Sequence, residues 1–137
     1  MAGYSPRPLV AKLGIKPGTR VVLLGAPPRY ALTLGKLPPG AKLARASRGP
    51  QSFVHIFTRA RADLGKRLPA LARALADEGM IWVSWPKRAS GVATDVTEDV
   101  VRDIALPLGL VDVKVCAVDD TWSGLKLVRR LKNRQAT

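Results

Sequence analysis

Cysteine and histidine each occur once in these 137 residues, as Cys116 and His55. A lone cysteine cannot close an internal disulfide, and one Cys with one His leaves too few soft ligands for a zinc site. No metal or other cofactor is expected, and the thiol count suits a reducing, cytoplasmic setting. Long apolar runs are also missing. None approaches the ~20 residues needed to span a bilayer, and residues 1–8 have no apolar stretch behind their first basic residue. Neither a membrane span nor a secretory leader is expected. Acids are scarce in the first half. Residues 1–76 carry fourteen Lys and Arg against one acid, Asp63, while residues 77–137 carry nine of each sign. The whole formal net charge of +13 therefore lies in the first half. Such asymmetry suits a polyanionic partner for one face. The plainer alternative is a soluble, self-repelling surface.

What is present is enough for one core. A hydrophobic content of 47% with 24% charged residues argues for a folded chain, and the length fits a single domain over 1–137. Residues 1–8, rich in proline, read as a loose arm, and residues 132–137 as a frayed basic tail.

Short apolar runs bounded by turn signals predict strands buried on both faces at residues 20–25, 53–57 and 80–85. A weaker strand at 42–46, carrying Lys42 and Arg45, suits a sheet edge. Its orientation is left open, because its link to Phe53 is short for a parallel crossover. Helical turns are expected at residues 9–13, closed by Gly14, and at 29–34. Thr58 is expected to cap a helix whose apolar face is Leu64, Leu68, Leu71 and Leu75, with a kink or fresh start at Pro69 and an end at Gly79. Thr97 reads as the N-cap of a further helix, with Glu98 and Asp99 in its first turn. The chain then closes on a strand at 111–118, a turn at 119–124 and a strand at 125–131. The expectation is a three-layer, Rossmann-like α/β fold. Its mostly parallel sheet of about six strands ends in an antiparallel, hairpin-like pair. That ending resembles the close of a class I methyltransferase sheet, where the last strand runs antiparallel between its neighbours.

In open α/β sheets, ligands bind beyond the carboxyl ends of the strands. Three loops are expected on that rim: residues 25–30, 87–97 and 119–124. They offer Arg29, Lys87, Arg88, Ser90, Gly91, Thr94, Asp95, Thr97, Asp119, Trp122 and Ser123 as candidate ligand-binding residues. Lys87 and Arg88 supply charge, and the hydroxyls of Ser90, Thr94 and Thr97 supply hydrogen bonds. Gly91 permits close backbone approach, and the helix N-terminus favours an anion. The alternative is that Thr94, Asp95 and Thr97 only cap the helix and tie the loop. Trp122 can stack on a ring or lie as a lid over the hairpin's apolar face. Trp82 and Trp85, three apart on a strand, should face opposite sides. His55 reads as a satisfied core histidine, and Cys116 as a small buried hydrophobe.

The standard catalytic motifs are missing. A methyltransferase would need a glycine-rich turn after its first strand and an acid ending its second. Here Gly25-Ala26-Pro27-Pro28 replaces glycines with prolines and removes two backbone donors. The second strand ends at Arg45, basic where an acid is wanted. The same two departures count against a dinucleotide site, and no P-loop or nucleophile elbow is present. No catalytic residue is assigned.

Residues 87–102 and 109–125 resemble the bacterial domain of unknown function 3052 family. So do Gly3-Tyr4-Ser5, Leu13-Gly14-Ile15-Lys16 and residues 82–87, and the resemblance runs over nearly the whole chain. It implies a small stand-alone bacterial protein and supplies no substrate or catalytic residue. The expected function is a non-catalytic binding or regulatory module for an anionic ligand or a macromolecular partner at the rim. One alternative is nucleic-acid binding through Lys36, Lys42, Arg45, Arg48, Arg59, Arg61, Lys66 and Arg67. Another is an enzyme of unrecognised mechanism using Asp95, Asp119 and Asp120 beside Lys87.

Overall fold

The computed structural model describes residues 8–45 and 49–130. The elements run α1 (Leu9–Leu13), β1 (Arg20–Leu24), α2 (Tyr30–Leu34), β2 (Lys42–Ala44), β3 (Gln51–Phe57) and α3 (Arg61–Ala74). They continue with β4 (Leu75–Pro86), α4 (Glu98–Ala105), β5 (Leu110–Ala117) and β6 (Trp122–Arg129). Six strands form one sheet in the order β2-β1-β3-β4-β6-β5. β2, β1, β3 and β4 pair in parallel, and β6 runs antiparallel between β4 and β5. This is the α/β architecture expected from the sequence, with its antiparallel close.

Alternation along the strands builds two cores. Val22, Val54, Ile56, Ile81, Val83, Trp85, Leu125 and Leu127 face one way and pack against Leu64 and Leu68 of α3 and Val101 and Ala105 of α4. Val21, Phe53, Phe57 and Trp82 face the other way, against Leu9 and Leu13 of α1 and Tyr30 and Leu34 of α2. Trp82 and Trp85 thus lie on opposite faces, as a strand period of two requires. Burial of each such large side chain contributes about 1.5–3 kcal/mol. Trp82 is fully buried and its Nε1–H donates to the Leu13 carbonyl at 3.0 Å, fastening the end of α1 to the sheet.

Several local expectations need correction. Pro8 belongs to the structure, since its carbonyl accepts from the Ala11 and Lys12 amides at the start of α1. The orientation of the 42–46 strand is settled. β2 is parallel to β1 and ends at Ala44. Ala46 and Arg48 lie outside the described residues, as do the arm at 1–7 and the tail at 132–137. Thr58 does not cap α3. Ala60 occupies that position, and the Thr58 hydroxyl donates to Asp63 at 2.9 Å. Pro69 sits inside α3 without ending it. The helix stops at Ala74 instead of Gly79, and β4 begins at Leu75 through an irregular register opposite β3. Trp122, Ser123 and Gly124 belong to β6 and not to the preceding turn, and β6 ends at Arg129.

Candidate functional site

The chain steps from β1 outward to β2, then back across β1 to β3. The direction of winding therefore reverses between β1 and β3, the place where such sheets open a crevice at their carboxyl ends. Gly25 closes β1 there with a φ of +71°. A Cβ at this position would stand 2.8 Å from the Phe57 carbonyl oxygen, so the two strand ends approach as only glycine permits.

Two clefts flank the turn at residues 25–28. The first, of about 580 Å³, lies between the ends of β1 and β2, with Leu23, Pro27, Leu43, Arg45 and Arg67 among its walls. No acid lines it. The second, of about 470 Å³, lies between the ends of β1 and β3, where Phe57, Arg59, Asp63 and Trp122 contribute. A third cleft, of about 420 Å³, sits at the start of α4, against Arg88, Gly91, Thr94 and Thr97.

The three predicted loops do meet one rim. The Lys87 amide donates to the Thr121 carbonyl at 2.7 Å, joining the second loop to the third. Trp122 reaches the first loop across the second cleft. It rests edge-on against Phe57, with ring centroids 5.1 Å apart, so it covers an apolar part of the sheet. Ser123 pairs in register with Trp85 and Ala117 within the sheet. Arg29 is exposed and precedes α2.

The polar groups of the second loop are largely turned to its own backbone. The Ser90 hydroxyl donates to the Lys87 carbonyl at 2.6 Å and accepts from the Val92 amide. The Thr94 hydroxyl donates to the Arg59 carbonyl at 2.7 Å and accepts from Val96. Asp95 accepts from the Arg61 amide at 2.7 Å, and the Thr97 hydroxyl accepts from Val100 as the N-cap of α4. Asp119 accepts from the Thr121 and Trp122 amides, both at 2.8 Å. These bonds place Thr94, Asp95, Thr97 and Asp119 in capping and turn roles. They also reveal a segment that sequence reasoning missed. Residues 58–61 tie the second loop to the end of β3, and no local turn signal announces that role.

Arg45 and Arg67, candidates from the sequence for a nucleic-acid surface, line the first cleft. Arg59 lines the second. Lys36, Lys42, Arg61 and Lys66 are exposed. Arg48 is outside the described residues.

His55 is fully buried. Its Nδ1 shares a hydrogen bond with the Tyr30 hydroxyl at 2.9 Å, and its Nε2 with the Ser84 hydroxyl at 2.7 Å. The trio resembles a serine nucleophile with its base, yet Ser84 is also fully buried and no substrate atom can reach it. Burial pushes the imidazole pKa down to about 3 and raises that of the Tyr30 phenol. Burial likewise pushes the Cys116 thiol up, against the opposing effect of Lys12, Lys114 and Lys87, which is the reverse of what a nucleophilic thiolate needs. Among the described residues, no group of three His, Cys, Asp or Glu side chains is placed to hold a metal ion. No helix among them is long and apolar enough to cross a membrane.

The fold is that of methyltransferases. The chain is similar to the ribosomal protein L11 methylase of Lactobacillus delbrueckii subsp. bulgaricus, with a TM-score of 0.54 at 12% identity, covering 88% of this chain and 74% of that one. A TehB-like SAM-dependent methyltransferase from Corynebacterium glutamicum gives 0.50 at 10% identity, with 88% and 85% covered. Magnesium protoporphyrin IX methyltransferase from Synechocystis PCC 6803 gives 0.50 at 14% identity, over 74% of this chain but only 50% of its own length. This chain thus spans about half of that enzyme. At such identities the likeness shows the fold alone. No curated protein matches the sequence. A family model described as protein of unknown function (DUF3052) matches residues 52–131, more than half of the chain and including the runs at 87–102 and 109–125. The chain therefore belongs to the DUF3052 family, on a methyltransferase-like Rossmann fold.

Proposed function

We propose that this protein is a non-catalytic module that binds an anionic ligand at the carboxyl rim of its sheet, where winding reverses. One observation carries the reading. The first cleft combines apolar walls with Arg45 and Arg67, and no acid lines it among the described residues. Pockets of a few hundred Å³ with few convergent polar groups are the usual form of small-ligand sites. The lone cysteine supports a cytoplasmic setting.

S-adenosylmethionine, which the fold brings to mind, does not suit these residues. Pro27 and Pro28 have no amide to donate in the first turn. The position at the end of β2 that should accept from ribose hydroxyls is Arg45, which can only donate. No methyl-transfer step is therefore drawn.

The test is a thermal-shift screen with small anions, run on the wild type and on Ala31→Trp. Ala31 is an exposed wall of the first cleft, and an indole there fills the space without changing charge. At least one anion should raise the melting temperature of the wild type and leave the variant unmoved. A ligand that stabilises both equally binds elsewhere, and the rim reading then fails.

A second reading is backbone binding to nucleic acid. It is supported by the exposure of Lys36, Lys42, Arg45, Arg59, Arg61, Lys66 and Arg67.

A further inference from the structure

We infer that the first cleft takes a phosphomonoester carried on a flat or apolar body, such as a nucleoside monophosphate, with Arg45 and Arg67 holding the phosphate. The inference rests on the rim being a ligand site and specifies what that site takes.

Position is the first argument. In nucleotide-binding sheets, the residue at the end of the strand beside β1 meets the ribose. An acid there accepts from a free hydroxyl, whereas a nearby arginine accommodates a phosphate on that ribose. Arg45 directly follows β2, which pairs with β1 along Arg20, Val21 and Val22. The change from acid to guanidinium inverts the preferred ligand from a neutral diol to an anion.

Availability is the second. Arg45 is exposed and forms no ion pair with any described residue. Among the described residues, Arg67 pairs only with Asp63, at 3.0 Å, one turn away, with the two side chains 48% and 38% exposed. A pair this exposed holds its partner weakly, so the guanidinium keeps donors for a ligand. Two planar forks on one cleft suit a dianionic phosphate better than a single carboxylate.

The walls are the third. Leu23, Leu43, Pro27 and Pro28 give an apolar surface at the rim. Leu43 stays 37% exposed, which costs nothing if a ligand body covers it. The prolines also set a limit. They remove the amides that cradle a pyrophosphate in dinucleotide sites, so the charge must be held by side chains, as a terminal phosphate can be. Two sources carry that chemistry: a free mononucleotide, or the phosphorylated end of a nucleic-acid strand.

The experiment is calorimetric titration of the full chain with adenosine 3′-monophosphate, adenosine and inorganic phosphate. The mononucleotide should bind, and the other two should bind about tenfold or more weakly. Arg45→Gln and Arg67→Gln should each lose about tenfold or more in affinity. Arg73→Gln, also exposed but in the last turn of α3 and outside this cleft, should bind as the wild type does. All three variants alter exposed residues, and unchanged melting temperatures will verify folding. Adenosine that binds as tightly as its phosphate overturns the inference, as does an Arg73→Gln variant as weak as Arg45→Gln. Ala31→Trp separates the two levels. If adenosine binds tightly and Ala31→Trp abolishes it, the site stands and the phosphate assignment falls. If Ala31→Trp still binds the mononucleotide, the rim reading falls too. Short strands ending in 3′-phosphate or in hydroxyl decide the source. Tighter binding of the phosphate-ended strand than of the mononucleotide assigns the cleft to strand ends. Equal affinities assign it to the free nucleotide. A hydroxyl-ended strand that binds equally well overturns the inference.

Discussion

Burying an imidazole without charging it makes the fold sensitive to acid. His55 has a pKa of about 3 in the folded chain, lowered by burial, against an ordinary value of 6.5. Between those values the unfolded chain binds the extra proton, so stability rises with pH across that window. The contribution is complete above about pH 6.5 and is lost as pH falls toward 3. Near pH 4.5 the loss from this residue should reach about 2–3 kcal/mol. Urea unfolding at pH 7 and near pH 4.5 checks it. His55→Leu should be less stable at neutral pH, because the Tyr30 and Ser84 hydroxyls lose their shared partner. It should also show a shallower acid slope. An unchanged slope would place the acid sensitivity in the carboxylates instead. Gly25 is a second single residue with a large effect. Alanine there meets both the φ of +71° and the Phe57 carbonyl at 2.8 Å. The expected cost is about 1–3 kcal/mol, measured by the same unfolding.

The junction of α3 and β4 shows how a distant residue sets an element's end. Leucines at 64, 68, 71 and 75 keep a helical period, and Gly79 looks like a stop, yet the helix ends at Ala74. The Arg129 guanidinium, carried on β6, reaches the carbonyls of Ala72 and Leu75 at 2.6–3.0 Å. It adds donors at the helix end, where the Ala72 carbonyl also accepts from the Leu75 amide, and it stands 3.9 Å from Asp77. Gly79 serves the strand instead. A Cβ there would stand 2.7 Å from the Gln51 carbonyl oxygen, so glycine allows the irregular pairing of β3 with β4. Arg129→Met keeps the aliphatic stem and removes the donors. It should cost about 2 kcal/mol by denaturant unfolding, with increased hydrogen exchange at the end of α3. A loss confined to the far end of β6 would deny the capping role. What was legible follows the same logic. Val21, Val22, Val54 and Ile56 sit in continuous apolar runs, so β1 and β3 could be read locally. Thr97 could be read as a cap because its partner, Val100, is three residues away. Arg129, the segment at 58–61 and the pairing of Ser84 with His55 depend on residues tens of positions distant, and nothing near them in sequence signals it. The cleft with Arg45 and Arg67 was hidden for the same reason. One arginine directly follows β2 and the other lies in α3, and only the crossing of the chain over β1 brings them to one opening.

The charge asymmetry becomes a question about where the exposed cations stand. In the second half, acids answer bases directly. Arg102 meets Glu98, Asp99 and Asp112, and its hydrogen bonds to Asp112, foremost, and to Glu98 raise its pKa. In the first half, Asp63 is the one acid available, and it is already shared between Arg67 and Thr58. The field of this half is therefore positive over the first cleft and over the exposed flank of α3, where Arg61, Lys66 and Arg73 lie. A diffuse field of this kind concentrates any polyanion, whereas a built site discriminates among anions. The two are separable by salt. Backbone contact with DNA or RNA releases counterions, so log K should fall against log salt with a slope of about −0.9 per phosphate neutralised. Arg61→Gln together with Lys66→Gln should lower that slope by about two and leave mononucleotide binding nearly unchanged, because neither residue lines the first cleft. Anisotropy with a generic duplex across a salt series measures it. If binding vanishes well below physiological salt, the charge serves solubility and ligand capture, and the specific chemistry lies in the cleft. If useful affinity persists there with a steep slope, the exposed cations form a contact surface in their own right. The phosphate-holding cleft would then lie where a bound strand brings its end.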